Sequence, residues 1–351
     1  MKRIKAAVCA MLTAGMLFSS CGDQGELPLA DMLTLPEGQN LSHAYLDATR
    51  LSAAPGMHIA MVVMDKNDVY WEAVEEGAQR AVELINYNNH LEGDDALVLT
   101  VDGAKQADDV NAQINAIDSL VAENPSAICI AALDMASCEP QLKAAKDSGI
   151  PVIMMDSGVE SDLGVAFCGT DNRAAGALAA EKLCEAVGDA GEVVIVTHGL
   201  SAQTARDRLA GIEGVLAEHS GIRVSARVEQ EADVSTEEQL KAILTENPSI
   251  RGIVCTSEAT SEAAIMVLRK LQLEDVGLVG FDSGKKQLSA IRQGEEYGLV
   301  SQDPRAIGYA SVTAAMYAAT GAGVDPRIRT GFLWIDQENV NTLDVLPYLY
   351  D

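Results

Sequence analysis

Residues Ala122-Glu-Asn-Pro-Ser-Ala-Ile-Cys-Ile130 have a counterpart in the second half of the chain, Thr245-Glu-Asn-Pro-Ser-Ile-Arg-Gly-Ile-Val254. In both stretches Glu-Asn-Pro ends a segment with helical spacing, and an apolar run follows it. Proline cannot continue a helix, and it pushes the residue before it into extended geometry. Each stretch therefore marks a change from helix to strand. The recurrence predicts two halves with the same architecture.

Apolar runs of strand length alternate with helical patterns in both halves. They lie at 58–64, 96–101, 127–133 and 152–155, and again at 192–197, 222–228, 252–256 and 276–281. Such runs of Val, Ile and Met, separated by helices, are typical of buried parallel strands in βαβ units. Right-handed crossovers then put helices on both faces of each sheet. With 351 residues available for two domains, we predict an α/β fold of two doubly wound, Rossmann-like lobes.

The N-terminus has the layout of a secretory signal peptide. Residues 1–5 are basic, residues 6–18 are apolar, and Ser19 and Ser20 precede Cys21. A Cys after small residues resembles the bacterial lipoprotein processing box, although Phe18 stands where that box usually has Leu. We predict a signal peptide at 1–20 and lipidation at Cys21, with plain cleavage and release as the alternative. Residues 21–56 contain three prolines and predict a tether with one short helix near 41–51.

The charge and the cysteines exclude several classes of partner. A formal charge of -27 repels phosphate groups, so we expect neither nucleic acid nor an anionic lipid surface as a partner of the folded body. Beyond the lipidation site the cysteines are Cys129, Cys138, Cys168, Cys184 and Cys255. Their number is odd and none has a metal-ligand spacing. We predict buried free thiols, no disulfide framework and no metal site.

Polar residues follow the apolar runs where the predicted strands end. In open α/β sheets ligands bind beyond the carboxyl ends of the strands, so these residues are the candidates for a binding site. The first lobe offers residues 65–71, Asp134 and Asp156, and the second offers residues 198–206, Ser257, Glu258 and Asp282. Carboxylates accept two hydroxyl hydrogens, a guanidinium donates in a fork, and aromatic rings cover the C–H face of a sugar. The set is typical of a site for neutral polyols.

Six motifs occur in a characteristic order. They are Lys66-Asn-Asp-Val-Tyr-Trp-Glu72, Ile150-Pro-Val-Ile-Met-Met-Asp156, Thr170-Asp-Asn172, Thr204-Ala-Arg-Asp-Arg-Leu-Ala-Gly211, Val279-Gly-Phe-Asp282 and Ser301-Gln-Asp-Pro304. With them, residues 57–345 resemble the ribose- and galactose-type periplasmic binding proteins. The resemblance implies ligand contacts by Asp68, Tyr70, Trp71, Asp156, Arg206, Asp282 and Gln302.

The same resemblance implies the division of the chain. An N-terminal lobe would comprise residues 57–169 and 303–327, and a C-terminal lobe residues 170–302 and 328–351. The lobes would be hinged at three crossovers, near Thr170, Gln302 and Ile328. Ribose binders of this family have an arginine after the first-lobe aspartate and an asparagine-aspartate pair in the second lobe, where this chain has Ser157 and Ser257-Glu258. These departures imply a different sugar, a polyol, or a ligand with an amine.

Several candidates also have a purely structural interpretation. Tyr70 and Trp71 could pack inside their lobe, and Asp68 and Asp282 could cap helices. Arg206 could pair only with Asp207 or Glu213 on its own helix. Asp171 and Asn172 are expected to cap the helix that follows them rather than to touch a ligand.

The sequence carries no catalytic motif. It has no G-x-S-x-G, no H-E-x-x-H and neither of the glycine-rich phosphate-binding patterns, so we predict no enzyme, no catalytic residue and no cofactor. A related sugar-responsive repressor would need a basic helix-turn-helix where this chain has an export signal. We predict a monomeric, lipid-anchored protein that captures a sugar or polyol and delivers it to the permease of an ABC transporter. The alternative is a lipoprotein that reports its ligand to a membrane receptor kinase.

Overall fold

The computed structural model describes residues 42–106, 109–231 and 233–350. The predicted signal peptide, the predicted lipidation site Cys21 and the first part of the predicted tether lie outside these residues. Within the described part of the chain, no helix is long and apolar enough to cross a membrane. The two predicted lobes are both present, each built on one six-stranded sheet.

The sheet of the first lobe is parallel throughout. Its strand order is β11-β5-β4-β3-β1-β2. The strands are β1 (His58–Val63), β2 (Val98–Gly103), β3 (Ala127–Ile130), β4 (Val152–Met155), β5 (Ala166–Gly169) and β11 (Arg327–Arg329). Four of them coincide with the predicted apolar runs. The short strands β5 and β11 were not predicted.

The sheet of the second lobe repeats this order with one reversed edge. Its strand order is β12-β10-β9-β8-β6-β7, and β12 runs antiparallel to β10. The strands are β6 (Gly191–Thr197), β7 (Ile222–Glu229), β8 (Ile250–Cys255), β9 (Gly277–Phe281), β10 (Gly298–Gln302) and β12 (Phe332–Asp336). The predicted fold class of two doubly wound lobes is confirmed.

Helices cover both faces of each sheet. They are α1 (Val69–Asn89), α2 (Val110–Ala122), α3 (Glu139–Asp147), α4 (Asn172–Val187), α5 (Gln203–Glu218), α6 (Thr236–Glu246), α7 (Glu258–Leu271), α8 (Lys285–Gln293) and α9 (Pro304–Ala319). In β1, Ile59 and Met61 belong to the apolar cluster under α1 and α9, whereas Ala60 and Val62 belong to the cluster under α2 and α3. Because successive strand side chains point to opposite faces, continuous apolar strands are what a sheet covered on both faces requires.

Glycines let one pair of helices in each lobe cross at backbone contact. In the first lobe, a Cβ placed on Gly308 of α9 would lie 1.8 Å from the carbonyl oxygen of Val74 in α1. In the second lobe, a Cβ on Gly211 of α5 would lie 2.0 Å from the carbonyl oxygen of Arg173 in α4. No side chain fits at either position. These crossings fix α1 and α5, whose amino-terminal ends lie at the cleft between the lobes.

Three crossovers join the lobes. The chain leaves the first sheet after β5, returns to the first lobe between β10 and α9, and leaves it again between β11 and β12. The first two fall at the predicted Thr170 and Gln302. The third comes after Arg329, one residue beyond Ile328, which pairs with Cys168 inside the first sheet.

The described part of the predicted tether is packed, which corrects the prediction for residues 42–51. Tyr45 and Leu46 are buried in the core of the first lobe beside a short 3-10 turn, His43–Tyr45. The Tyr45 hydroxyl accepts a hydrogen bond of 2.7 Å from the Asp325 backbone N–H, and the Tyr309 hydroxyl accepts one of 2.9 Å from the Ala48 backbone N–H. The segment has no sustained period, so its sequence did not show that it packs.

The five cysteines beyond Cys21 are buried with free thiols, which confirms the prediction that they pack as small apolar side chains. Burial raises the pKa of four of these thiols above 9.0 as the dominant cause, to about 11 for Cys138 and about 12 for Cys168, and further for Cys129 and Cys255. These four side chains are therefore protonated and unreactive at neutral pH.

Candidate functional site

Two aspartates occupy equivalent places in the two lobes. Asp156 follows β4 and Asp282 follows β9, and both have a left-handed backbone, with φ of 61° and 72°. The Asp156 N–H donates to the Cys168 carbonyl at 2.8 Å, and the Asp282 N–H donates to the Val300 carbonyl at 2.9 Å. Non-glycine residues in this region are uncommon and cluster at functional sites. The bend turns both carboxylates away from their strands at the carboxyl edge of each sheet, where ligands bind.

An aromatic wall surrounds the first-lobe aspartate. The Tyr70 hydroxyl donates a 2.6 Å hydrogen bond to Oδ1 of Asp156. The Tyr70 ring meets Trp71 edge-on at 5.1 Å and Tyr350 edge-on at 5.3 Å between ring centres. Asp68 caps α1 by accepting a 2.8 Å hydrogen bond from the Tyr70 backbone N–H, so its predicted structural role is present. Capping fixes the start of α1 and with it the two aromatic side chains.

Burial raises the pKa values of the acidic groups in this wall. It raises the pKa of Asp156 from 3.8 to about 6, against the lowering effects of the Tyr70 hydroxyl and the Arg208 charge. Burial also raises the pKa of Asp68, and the charge of Asp282 across the cleft contributes to that rise. Desolvation and the neighbouring Asp156 carboxylate raise the pKa of Tyr70. At neutral pH, Tyr70 is thus a protonated donor and Asp156 is mainly an ionised acceptor.

The second-lobe aspartate sits among hydrogen-bond donors. Asp282 Oδ1 accepts from the Gln302 side-chain amide at 2.9 Å, and its Oδ2 accepts from the Glu258 backbone N–H at 3.2 Å. The Arg208 guanidinium lies 3.8 Å from Oδ2. These three groups hold the carboxylate in one orientation.

Arg208 is the buried cation of the site, and its side chain is only 4% exposed. Its Nε donates to Asn172 Oδ1 at 2.8 Å and its Nη1 donates to the Thr256 carbonyl at 2.7 Å. The guanidinium stacks over the Phe281 ring at 4.4 Å from the ring centre. Burial and the Arg208 charge lower the pKa of the neighbouring His198 to about 3, so this imidazole is neutral.

Arg206, the predicted ligand contact, lies outside this cluster. Its side chain is 53% exposed, and it pairs with Glu160 of the first lobe at 3.2 Å rather than with Asp207 or Glu213. Residues two positions apart on a helix point to different sides. The buried positions of α5 are Thr204, Ala205, Arg208, Gly211, Ile212 and Leu216. This periodicity selects Arg208, and it was the signal in the sequence that could have identified the inward arginine.

The other predicted residues are divided between the cleft and its surroundings. Ser257 caps α7 in a capping box with Thr260. The Glu258 carboxylate contributes to raising the pKa of Tyr350 and packs against Gly284, where a Cβ would lie 2.0 Å from Oε1. Asp134 lies at the edge of the cleft and accepts from the backbone N–H groups of the next turn, at 2.8 and 2.7 Å. Asp171 caps α4 as expected.

Direct contacts join the lobes at that edge. They are the Met135 N–H to the Ser201 carbonyl at 3.2 Å, the Gly158 N–H to the Gln203 side-chain oxygen at 2.8 Å, and the Arg206–Glu160 ion pair at 3.2 Å. The cleft between Asp156 and Asp282 is therefore closed along one side. Tyr350, which sequence reasoning missed, bridges as well: its ring packs on Tyr70, and its hydroxyl accepts from the Ser283 backbone N–H at 2.9 Å.

Comparison with known proteins gives a consistent family. The profile of the periplasmic binding protein domain matches residues 59–323. The ribose import binding protein of Escherichia coli is 23% identical over 77% of this chain and 87% of its own length. A xylitol-binding protein of Mycolicibacterium smegmatis is 27% identical over 56% of each chain.

Solved structures agree with the sequence relatives. An ABC transporter solute-binding protein from Agrobacterium vitis, bound with α-D-tagatopyranose, superposes with a TM-score of 0.77 at 25% identity, over 84% of this chain and 99% of its own. A carbohydrate transporter solute-binding protein from Agrobacterium radiobacter, in complex with D-arabinose, superposes with a TM-score of 0.75 at 26% identity, over 83% and 98%.

These relatives are binding proteins rather than enzymes, which confirms the prediction that the chain catalyses no reaction. Their family also indicates an extracytoplasmic location. With its two doubly wound lobes and a cleft between paired aspartates, the chain belongs to the periplasmic binding protein family, with the type I fold.

Proposed function

We propose that this protein captures one small polyhydroxylated molecule, a sugar or a polyol, between its lobes and delivers it to the permease of an ABC transporter. The observation that carries the proposal is the pair Asp156 and Asp282, which extend from equivalent bends of two separate lobes into one cleft. The relatives support the chemical class, since those named above bind xylitol, ribose, tagatose or arabinose by their names.

The cleft offers the groups that bind hydroxyls. Tyr70 is the only hydrogen-bond donor to the Asp156 side chain among the described residues, so the second carboxylate oxygen can accept ligand hydroxyl hydrogens. The side-chain oxygen of Gln302 is buried without a hydrogen-bond partner among the described residues, although its amide nitrogen is bound to Asp282. Tyr70, Trp71 and Tyr350 supply apolar surface for the C–H face of a sugar ring.

The charges favour a neutral or cationic ligand. The acids Asp68, Asp156, Glu258 and Asp282 border the cleft, and Arg208 is already engaged with Asp282 and Asn172. A ligand carboxylate or phosphate would be repelled, whereas hydroxyls or an amine would be accepted. This agrees with the replacement of the ribose binders' arginine by Ser157. Arg208 takes the place of Arg206 in the proposed site.

The ligand acts by selecting the closed arrangement of the lobes. Its contacts with the second lobe must supply the closing bias of a few kcal/mol, because a ligand shifts an equilibrium only by its differential affinity. The inter-lobe contacts of Met135, Gly158 and Arg206 add to that bias. The three crossovers provide the hinge. We propose lobe boundaries at 57–169 with 303–329, and at 170–302 with 330–351, because Ile328 and Arg329 pair with β5 in the first sheet.

We further propose that the protein acts as a monomer held at the membrane by lipid on Cys21. The layout of residues 1–22 supports the anchor. Acyl chains contribute about 0.8 kcal/mol per buried CH₂, so more than one chain is needed for stable attachment. Mass spectrometry of the protein from its native membrane tests this step: an acylated Cys21 at the new N-terminus supports it, and an unmodified one indicates plain cleavage.

A thermal-shift screen tests the capture step. The panel contains pentoses, hexoses, polyols, nucleosides and amines, and the Tm of the protein is measured with and without each compound. A ligand at ~100 times its Kd adds ~2.7 kcal/mol to the free energy of unfolding, which is a clear rise in Tm. Stabilisation by one sugar or polyol supports the proposal, and stabilisation only by a different chemical class contradicts it. Uptake of the labelled ligand by cells with and without the gene then separates transport from signalling to a receptor kinase.

A further inference from the structure

Three metal-ligating side chains of different kinds meet in the second lobe, at the carboxyl-terminal ends of α4 and α5 and away from the cleft. Cys184 is in the last turn of α4, Asp189 is in the turn that follows, and His219 is the residue after α5. The thiol sulfur, one carboxylate oxygen and one ring nitrogen all lie within 4.8 Å of one another. No spacing in the sequence indicates this group, because Cys184 and His219 come from different helices.

The separation of the nitrogen and oxygen ligand atoms fits a tetrahedral ion. The Nδ1 atom of His219 lies 3.3 Å from Oδ1 of Asp189. Two ligands at about 2.0 to 2.1 Å from Zn²⁺ in tetrahedral geometry are separated by about 3.3 Å. Cys184 is 1% exposed, and its sulfur lies beneath these two more exposed side chains. An ion at the centre of the three would therefore have solvent on its fourth side.

The electrostatic surroundings favour a cation. The carboxylates of Asp189, Glu181 and Glu185 all act on Cys184 in the direction that disfavours its negative form. Neither α4 nor α5 has a basic residue in its last turn. The negative ends of two helix dipoles thus converge on this point, and Lys182, the preceding basic residue of α4, is already paired with Glu185 at 2.8 Å. A divalent cation would compensate both ends and the acidic side chains together.

We propose that Cys184, Asp189 and His219 form a Zn²⁺ site on the second lobe, with water in the fourth position. Thiolate, imidazole and carboxylate together suit zinc better than Mg²⁺ or Ca²⁺, which prefer oxygen ligands. The geometry is rigid, because Gly176 and Gly211 hold α4 and α5 at backbone contact. The site is separate from the cleft: β6, with seven residues, leads from Asp189 to His198 over about 20 Å.

Binding would tie the ends of α4 and α5 together. Zn²⁺ forms a bond to the sulfur, and the thiol proton goes to solvent. Binding of zinc therefore releases a proton and weakens as the pH falls. The expected consequence is a more stable second lobe, with no direct contact between the ion and the cleft ligand.

The experiment is a titration of the purified protein, first freed of metal with a chelator, with Zn²⁺ and separately with Co²⁺. We expect one Zn²⁺ per chain, a rise in Tm, and a thiolate-to-cobalt charge-transfer band in the near ultraviolet. His219→Gln should weaken zinc binding by more than about tenfold. Cys184→Ala should remove the charge-transfer band. His43→Gln, a change at an exposed histidine in the first lobe, is the matched control and should bind as the wild type does.

Two results would overturn the zinc site. If the wild type takes up no zinc, or if His219→Gln binds zinc as tightly as the wild type, Asp189 and His219 form only an ion pair that joins two turns. His219 is at the surface, so this variant keeps the test decisive even if Cys184→Ala fails to fold.

Discussion

Each lobe has an aspartate at an equivalent backbone bend beside the cleft, but the two aspartates have different neighbours. Asp156 and Asp282 both leave their strands with a left-handed backbone, and both backbone N–H groups pair with the neighbouring strand. Among the described residues, the Asp156 side chain receives one hydrogen bond, from the Tyr70 hydroxyl, and Tyr70 in turn packs against Trp71 and Tyr350. The Asp282 side chain receives two from the described residues and lies beside a buried guanidinium. The first lobe therefore keeps acceptor capacity for a ligand, while the second holds its carboxylate in place.

The two lobes also differ in how they accommodate a buried carboxylate. Burial destabilises the ionised form of Asp156 and raises its pKa to about 6. Arg208 offsets the corresponding burial of charge in the second lobe, where it connects Asp282, Asn172 and Thr256. The lobes thus share a fold element but depend on different side chains for its stability. Each of the following changes acts on one lobe and leaves the other as an internal reference.

The largest effect is expected from Arg208→Ala. The change leaves Asp282 without its cation and removes hydrogen bonds to Asn172 and Thr256, so it should lower the free energy of unfolding by about 3 to 5 kcal/mol. Ligand binding should be lost with it. Arg206→Ala is the matched control, because Arg206 is half exposed and its pair with Glu160 is worth at most about 1 kcal/mol. Urea unfolding of both variants measures the difference. Equal losses would contradict the assignment of Arg208 to the site.

The second effect concerns pH and the first lobe. The pKa of Asp156 is about 6 in the fold against 3.8 as its ordinary value, so the native state binds the extra proton between these values. Stability from this group is therefore present at low pH and is lost as the pH rises from about 4 to about 6, by at most about 3 kcal/mol. Asp156→Asn should remove that part of the slope in ligand-free protein. Asp134→Asn, at an exposed turn, should leave the slope intact. The unfolding free energy of the three proteins across this range decides the matter.

The third effect breaks the second lobe at its helix crossing. Gly211→Ala puts a methyl group 2.0 Å from the Arg173 carbonyl, so α4 and α5 must move apart at a cost of about 1 to 3 kcal/mol. Gly214→Ala lies on the same helix with no atom within 4 Å of the new Cβ. That control should instead stabilise the protein by about 0.5 to 1 kcal/mol, because glycine is a poor helix former. Thermal unfolding compares them, and the same sign for both changes would refute the crossing.

The smallest effect is expected from Tyr70→Phe. It keeps the aromatic wall and removes only the hydroxyl that donates to Asp156, so it should cost about 1 kcal/mol. The pKa of Asp156 should rise further, since that hydrogen bond lowers it. An NMR titration of the Asp156 side-chain carboxyl carbon measures the change. An unaltered pKa would mean that the two groups do not interact in solution.

The architecture could be predicted from the sequence because apolar strand-length runs alternate regularly with helical patterns. The long runs in β1, β3, β6 and β8 are apolar on both faces, and Glu-Asn-Pro marked the helix ends. Asp156 and Asp282 were found since they directly follow such runs. The strands β5, β10, β11 and β12 were not predicted; β11 has only three residues, too few for a pattern.

What the sequence did not show are contacts between distant parts of the chain and the direction in which single side chains point. Arg206 and Arg208 have the same side chain, and only the pattern of buried positions on α5 shows that Arg208 points inward. Tyr350 reaches Tyr70 from the other end of the chain. Tyr45 packs under α9 although its segment has no period. Cys184 and His219 meet only because two helices end at the same place. Such juxtapositions follow from tertiary packing and leave no local signal.

In the proposed mechanism, one ligand is held between Asp156 and Asp282. The most direct test is calorimetric titration of the wild type, Asp156→Asn and Asp282→Asn with the sugar or polyol that raises Tm most in the screen. We expect one site per chain in the wild type and a loss of affinity of tenfold or more in both variants, because each aspartate lies on a different wall of the same cleft. Unchanged affinity in both variants would overturn this placement of the ligand, which would then have to bind elsewhere.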